Sequence, residues 1–147
     1  MVAGHVPSDF ALKTMNRVHR TLLTLSRGKI GWSASNMPVL ELHTIGRSSG
    51  QRRSVMLTAP ATDGDSLVIV ASRGGDDHHP AWFLNLQANP QVEVTVRGTT
   101  RAMQARIAEG EERAALWQRI STQHTRYAGY QSKTEREIPL VVLTPVA

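Results

Sequence analysis

The spacing of apolar residues along the chain changes several times, and each change marks a boundary. From Phe10 to Leu25, Leu12, Met15, Val18, Leu22 and Leu25 recur at steps of three and four. That rhythm predicts an amphipathic helix over 8–27, with Ser8 or Asp9 as its N-cap. Lys13, Arg17, Arg20 and Arg27 fall on its other faces. The basic side has two readings: a solvated face of a packed helix, or a peripheral contact with anionic membrane. Gly28 to Pro38 carries Gly, Ser and Asn and reads as a loop.

Beyond Pro38 the rhythm shortens to that of strands. Val39–Ile45 is one such run and Val55–Ala59 a weaker one. Leu67–Ala71 is continuously apolar after the turn signal Asp63-Gly64-Asp65, as expected of a strand buried on both faces. Val92, Val94 and Val96 alternate strictly with Glu93, Thr95 and Arg97. Arg97-Gly98-Thr99-Thr100 then turns the chain, and Met103, Ala105 and Ile107 alternate back, which predicts a hairpin. Leu140–Leu143 makes the last strand, entered through Pro139.

Two helical stretches interrupt these strands. Pro80 suits the first turn of a helix carrying Trp82, Phe83 and Leu86, ended by Asn89-Pro90. Glu111 and Glu112 suit the positive N-terminus of another, running through Leu116, Trp117 and Ile120. About six short, mostly antiparallel strands with an N-terminal helix and two peripheral helices predict an α+β domain around a small barrel. The 147 residues fit one domain over 1–147, with the helix at 8–27 and the barrel at 39–145.

Composition narrows the chemistry. The chain has no cysteine, which excludes disulfides, thiolate zinc sites, iron–sulfur clusters and a cysteine nucleophile together. It also fits a cytoplasmic protein. Apolar runs fall short of a membrane span, and basic residues interrupt any signal-peptide core. Charge is unevenly placed. Residues 1–53 hold eight Lys/Arg against two acids, whereas 54–147 hold nine against ten. An anionic partner should therefore meet the first third of the chain.

The turn Gly46-Arg47-Ser48-Ser49-Gly50-Gln51-Arg52-Arg53 lies in that basic third, between two predicted strands. Its glycines free the backbone to turn, its serines add donors, and its guanidinium groups offer forked contacts to phosphate or carboxylate. It is neither a Walker A loop nor a dinucleotide fingerprint. No aromatic residues interleave with the arginines and no reading helix follows, so nucleic acid is not the expected partner. A second constellation, Ala71-Ser72-Arg73-Gly74-Gly75, follows the buried strand, and its glycine pair permits close approach of a flat ligand. His79-Pro80-Ala81-Trp82-Phe83-Leu84-Asn85 then opens a helix whose N-terminal N–H groups suit an anion. Trp82 and Phe83 also read as ordinary core, and Asn85 as a residue that cross-links a turn. Adjacent His78 and His79 beside Asp76 and Asp77 are poorly spaced for one ion, so no metal is expected. Tyr127 and Tyr130 are the only tyrosines and suit hydrogen-bond donation at neutral pH.

Four motifs occur in order: LHTIGRSSGQRRSVML (42–57), LVIVASRGG (67–75), HPAWFLNLQANPQVEV (79–94) and YAGYQSKTEREIPLVVLTP (127–145). From Val39 to Pro145 the chain resembles the deazaflavin-dependent nitroreductase family, the actinobacterial quinone and nitro reductases that use coenzyme F-420. The resemblance implies a split β-barrel of FMN-binding type, and an oxidoreductase that passes hydride to quinones, activated enones or nitroaromatic compounds. By motif position, Arg47, Ser48, Ser49 and Arg53 match residues that hold the cofactor's anionic tail. Ser54, Val55, Met56, Leu57 and Thr58 match the segment along the deazaflavin ring. Val70, Ala71, Ser72 and Arg73, then Ala81, Trp82, Phe83, Leu84 and Asn85, match the remaining cofactor contacts. Tyr130 matches a ring-proximal tyrosine and Tyr127 a substrate-side one. Ser72 is the candidate stabiliser of charge on a substrate oxygen, and either tyrosine the candidate hydrogen-bond or proton donor.

There are departures from the family. Met56-Leu57-Thr58 stands where the family often has Pro-Leu-Tyr, and Lys133 where some members carry another aromatic. These departures motivate a rival reading: a non-catalytic split barrel that binds deazaflavin, FMN or a lipid-like ligand. FMN is the lesser cofactor alternative in a catalytic protein too. The partner otherwise expected is a small-molecule hydride acceptor, and a homodimer suits this barrel type.

Overall fold

The computed structural model describes residues 33–34 and 37–146. The helix expected over 8–27 lies outside them. Among the described residues the strands are β1 (Ser33–Ala34), β2 (Met37–Ile45), β3 (Arg52–Thr58), β4 (Ala61–Asp63), β5 (Ser66–Val70), β6 (Gln91–Val96), β7 (Thr99–Ile107) and β8 (Leu140–Pro145). The helices are α1 (Ala81–Ala88), α2 (Gly110–Gln123) and α3 (Arg126–Gln131).

Every strand pair is antiparallel. The sheet runs β1-β2-β6-β7-β8-β5-β4, with β3 also paired to β2. β3 and β4 therefore stand at separate ends of the hydrogen-bonded path, yet only Ala59-Pro60 joins them in sequence. The sheet has to curl to satisfy both conditions. Leu40 and Leu42 of β2, Val92 and Val94 of β6, Met103 and Ala105 of β7, Val141 and Leu143 of β8 and Ile69 of β5 meet in one interior cluster. Phe83 and Leu86 of α1 join it, so α1 plugs the curled sheet. Fully burying each of the larger of these side chains, Val, Leu, Ile, Met and Phe, is worth about 1.5–3 kcal/mol relative to exposure.

A second cluster lies on the outside of the same strands. Val68 and Val70 of β5 and Leu140 and Val142 of β8 pack there with Ile120 of α2, Tyr127 of α3 and Ile138. β5 is thus buried on both faces, as its continuous apolar run predicts. The β6–β7 hairpin turns on Arg97-Gly98 alone, with φ of 52° and 81°. Two consecutive positive φ values match the right-handed twist of the arms, which is why glycine serves here.

Several expectations need correction. Among the described residues the sheet has eight strands rather than about six, because β1 and β4 span two and three residues. Runs that short carry no detectable alternation. β1 and the start of β2 also occupy part of the stretch read as a loop from Gly28 to Pro38. β3 begins at Arg52 rather than Val55, since its first residues are polar but complete the ladder Ile45↔Arg52. The peripheral helices number three among the described residues, because Arg126–Gln131 forms its own six-residue helix.

Candidate functional site

The basic turn is the tip of the β2–β3 hairpin. The Gly46 N–H donates to the Gln51 carbonyl at 2.8 Å, and the Gly50 N–H to the Gly46 carbonyl at 2.8 Å. This closure leaves Arg47, Ser48, Ser49, Arg52 and Arg53 exposed. Asn85 of α1 ties the turn down from below. Its Oδ1 accepts from the Arg47 backbone N–H at 3.1 Å and from Arg47 Nη1 at 2.9 Å. Its Nδ2 donates to Thr44 Oγ1 at 3.3 Å, and the residue is only 5% exposed. Ser49 Oγ accepts from the Gln51 N–H at 3.1 Å. Arg52 instead pairs with Glu93 at 2.5 Å.

β3 leads from this turn toward the tyrosines. Ser54 is exposed, Met56 is buried, and Val55, Leu57 and Thr58 are half-buried. His43 Nδ1 lies 2.7 Å from Ser54 Oγ, and His43 Nε2 lies 2.9 Å from Thr95 Oγ1. Thr95 Oγ1 lies 2.7 Å from Thr100 Oγ1, so a polar row crosses β3, β2, β6 and β7. The strand pattern did not reveal this row, because His43 reads there as an isolated polar residue.

At the far end of β3, Thr58 Oγ1 lies 3.3 Å from the Tyr127 phenol oxygen. That phenol also donates to Met37 Sδ at 3.7 Å. Tyr127 is buried and meets the half-buried Tyr130 edge to face, at 5.9 Å and 82°. Burial raises the Tyr127 pKa, and the Thr58 hydrogen bond opposes that rise. Lys133 Nζ sits 5.6 Å from the Tyr130 ring centroid.

The loop after β5 carries Ser72 and Arg73. Ser72 is 9% exposed, and Arg73 takes a left-handed φ of 46°. Arg73 pairs with Asp76, whose other carboxylate oxygen faces His78. The group that organises this loop is Arg136, which sequence reasoning missed. Arg136 Nη2 donates to the Ser72 carbonyl at 2.8 Å and to the Ala71 carbonyl at 3.2 Å. Nη1 donates to the Ala71 carbonyl at 3.2 Å and to His79 Nδ1 at 3.1 Å, and Nε to the Asp76 carbonyl at 2.7 Å. Its partners lie 57 to 65 residues earlier and are mainly backbone atoms, so no local motif announces them.

The predicted site residues therefore fall into three environments. Arg47, Ser48, Ser49, Arg53, Ser54 and Ala81 are exposed. Arg73, Leu84 and Tyr130 are half-buried, while Val70, Ala71, Ser72, Trp82, Phe83 and Asn85 are buried. Phe83 sits in the interior cluster, edge to face with Trp82 at 6.3 Å, and so bears on the site from behind. Three hydrogen-bonded links bring the four separated motifs together: Asn85 joins α1 to the turn, Thr58 joins β3 to Tyr127, and Arg136 joins the C-terminal segment to Ser72.

Residues 15–145 match the family model described as F-420H(2)-dependent quinone reductase. The chain belongs to this family. An F-420H(2)-dependent quinone reductase of Mycobacterium tuberculosis is 41% identical over 87% of the chain and 88% of its own length. A solved F-420-H2 dependent reductase superposes with a TM-score of 0.64 at 38% identity, covering 72% of the chain and 93% of that structure. Another solved structure, described as a domain-swapped dimer, gives a TM-score of 0.67 at 34% identity, covering 89% and 98%. A pyridoxamine 5'-phosphate oxidase structure from Listeria innocua, 13% identical with a TM-score of 0.52, shares the fold alone. The curled antiparallel sheet fits the split-barrel fold of these structural neighbours. Among the described residues, no helix is long and apolar enough to cross a membrane.

Proposed function

We propose that the chain is a reductase that uses coenzyme F-420 in its reduced form to convert quinones to hydroquinones. The observation that carries this reading is the exposed Arg47–Arg53 tip, pinned through Asn85 to the helix beside the ring-binding motifs. An anionic tail and a flat ring on one molecule need such a pairing of a cationic clamp with a rigid platform. The residues present fit the cofactor. Exposed guanidinium and hydroxyl groups suit its phosphate and carboxylates.

When bound, the reduced deazaflavin supplies a hydride in a two-electron step. The protein's residues bind, orient and shield. Arg47 and Arg53, with Ser48 and Ser49, hold the tail. Ser54 to Thr58 and Val70 to Arg73 frame the ring, backed by Ala81, Trp82, Phe83, Leu84 and Asn85. Ser72 stabilises negative charge on the acceptor oxygen, and Tyr130 donates a hydrogen bond there. Tyr127 serves Tyr130 as a fixed T-shaped neighbour, since its own hydroxyl is engaged with Thr58 at 3.3 Å.

Nitroaromatic compounds and activated enones are further acceptors under this proposal, because each places an electrophilic centre beside a polar oxygen. A homodimer is proposed by analogy with the relative described as a domain-swapped dimer. Fluorescence titration tests the cofactor assignment. Oxidised F-420 should bind more tightly than FMN, and affinity should fall as salt rises. Equal or tighter FMN binding would overturn it.

A further inference from the structure

We infer that Arg136 is a positioning residue: it sets the backbone of the Ala71–Asp76 loop on which cofactor binding and turnover depend. The inference rests on the reductase reading above. One guanidinium holds that loop at both ends, with the adjacent Ala71 and Ser72 carbonyls and the Asp76 carbonyl all accepting from it within 3.2 Å. The described peptide bonds are trans, so each captured carbonyl turns the N–H of the next residue the opposite way. The Ser72 and Arg73 N–H groups are thereby aimed off the Arg136 side of the loop. A planar fork with five donors can hold such a plane, whereas an ammonium acts as a point charge.

The arm that delivers Arg136 is itself rigid. Gln131 Nε2 donates to the Arg136 carbonyl at 2.7 Å, and the Ile138 N–H donates to Gln131 Oε1 at 3.0 Å. Thr134 Oγ1 donates to Asp77 Oδ1 at 2.7 Å, which ties the arm to the residue just past the same loop. Arg136 therefore couples the segment after Tyr130 to Ser72, so the two candidate reacting groups share one support. A salt bridge in this place would only add attraction. Carbonyl capture dictates geometry, and a displacement of about 1 Å can cost on the order of 100-fold in rate.

The test compares Arg136→Ala and Arg136→Lys with wild type, reading oxidised F-420 affinity by fluorescence, kcat and KM for menadione, and thermal midpoint. Arg136→Ala should weaken cofactor binding about 10-fold and lower kcat on the order of 10–100-fold, with KM for menadione within about threefold. Tens of millimolar guanidinium, far below unfolding concentrations, should restore part of both losses, and methylammonium should not. Arg136→Lys should stay impaired. The inference is overturned if affinity and kcat are unchanged in Arg136→Ala. It is also overturned if both fall together with the thermal midpoint and guanidinium restores neither. The affinity arm needs no turnover. A wild type that binds F-420 but reduces no quinone would defeat the reductase reading while still letting Arg136 pass or fail.

Discussion

Asn85 holds Arg47 twice, accepting at one oxygen from its backbone N–H at 3.1 Å and from its guanidinium at 2.9 Å. The two residues lie 38 apart in sequence, on the helix that plugs the barrel and on the tip of its basic hairpin. The double contact fixes where the cationic turn stands relative to the flat-ring motifs. Asn85→Leu should cost about 1–3 kcal/mol of stability by placing an apolar side chain against the buried Thr44 hydroxyl and the Arg47 backbone N–H. Asn85→Asp separates the roles, because it keeps the acceptor but competes with an anionic tail for the guanidinium. Chemical denaturation should therefore find Asn85→Asp the more stable of the two, while fluorescence titration finds F-420 affinity weakened about 10-fold in both.

Gly75 marks a second close approach. Its φ is 87°, and a Cβ there would stand 2.7 Å from the Tyr130 carbonyl oxygen. That neighbour is backbone and cannot step aside cheaply. Gly75→Ala should cost about 1–3 kcal/mol. The thermal midpoint should fall accordingly, whereas Gly64→Ala, with φ of 59° and open space for a Cβ, should cost less.

Much of the barrel was legible in the sequence, and the reason is periodicity. Val92 and Val94 alternate with polar neighbours because β6 faces the core on one side, and Leu67–Val70 is unbroken because β5 is buried on both. β1, β4 and α3 were not legible, since each is shorter than the window in which a period can be detected. The basic turn and the Ala71–Gly75 loop could be found because their glycines and charges are contiguous. Arg136 could not, because its partners are carbonyls, which every residue possesses. It reads only as a charge beside the last strand. The cross-link from Asn85 was foreseeable in kind, as a turn-holding amide, but its partner Arg47 required the fold.

His79 supplies a pH-dependent contact to the same loop. Burial first, and the neighbouring Arg136 second, hold its imidazole below the ordinary value of 6.5. Nδ1 accepts from Arg136 at 3.1 Å, which requires the neutral ring. As pH falls below about 6.5 the unfolded chain takes up more protons than the folded one, so stability rises with pH in that window. The stabilisation is fully present above the unfolded value and is lost as pH falls through the folded one. Between about pH 7 and pH 5 the thermal midpoint should drop, and His79→Gln, which keeps an acceptor without titrating, should drop less.

Tyr127 should prove a support rather than a proton source. Its phenol is buried against Met37 and engaged with Thr58, and burial raises its pKa above 10.0. The raised value means its contribution to stability is fully present below about pH 10 and is lost as pH rises through the folded value. Tyr127→Phe should cost about 0.5–1.5 kcal/mol and leave kcat for menadione within about threefold, with no change in the pH profile between about pH 6 and pH 9. Tyr130→Phe should lower kcat by about 10-fold or more.

Hydride transfer from reduced F-420 to a quinone can be followed by mixing the protein with reduced F-420 and menadione without oxygen, and recording the return of the oxidised chromophore. Reoxidation should depend on the protein and saturate in menadione, with Ser72→Ala slowed about 10-fold or more. Reoxidation no faster than in the absence of protein, across a panel of quinones and with cofactor shown to be bound, would contradict it.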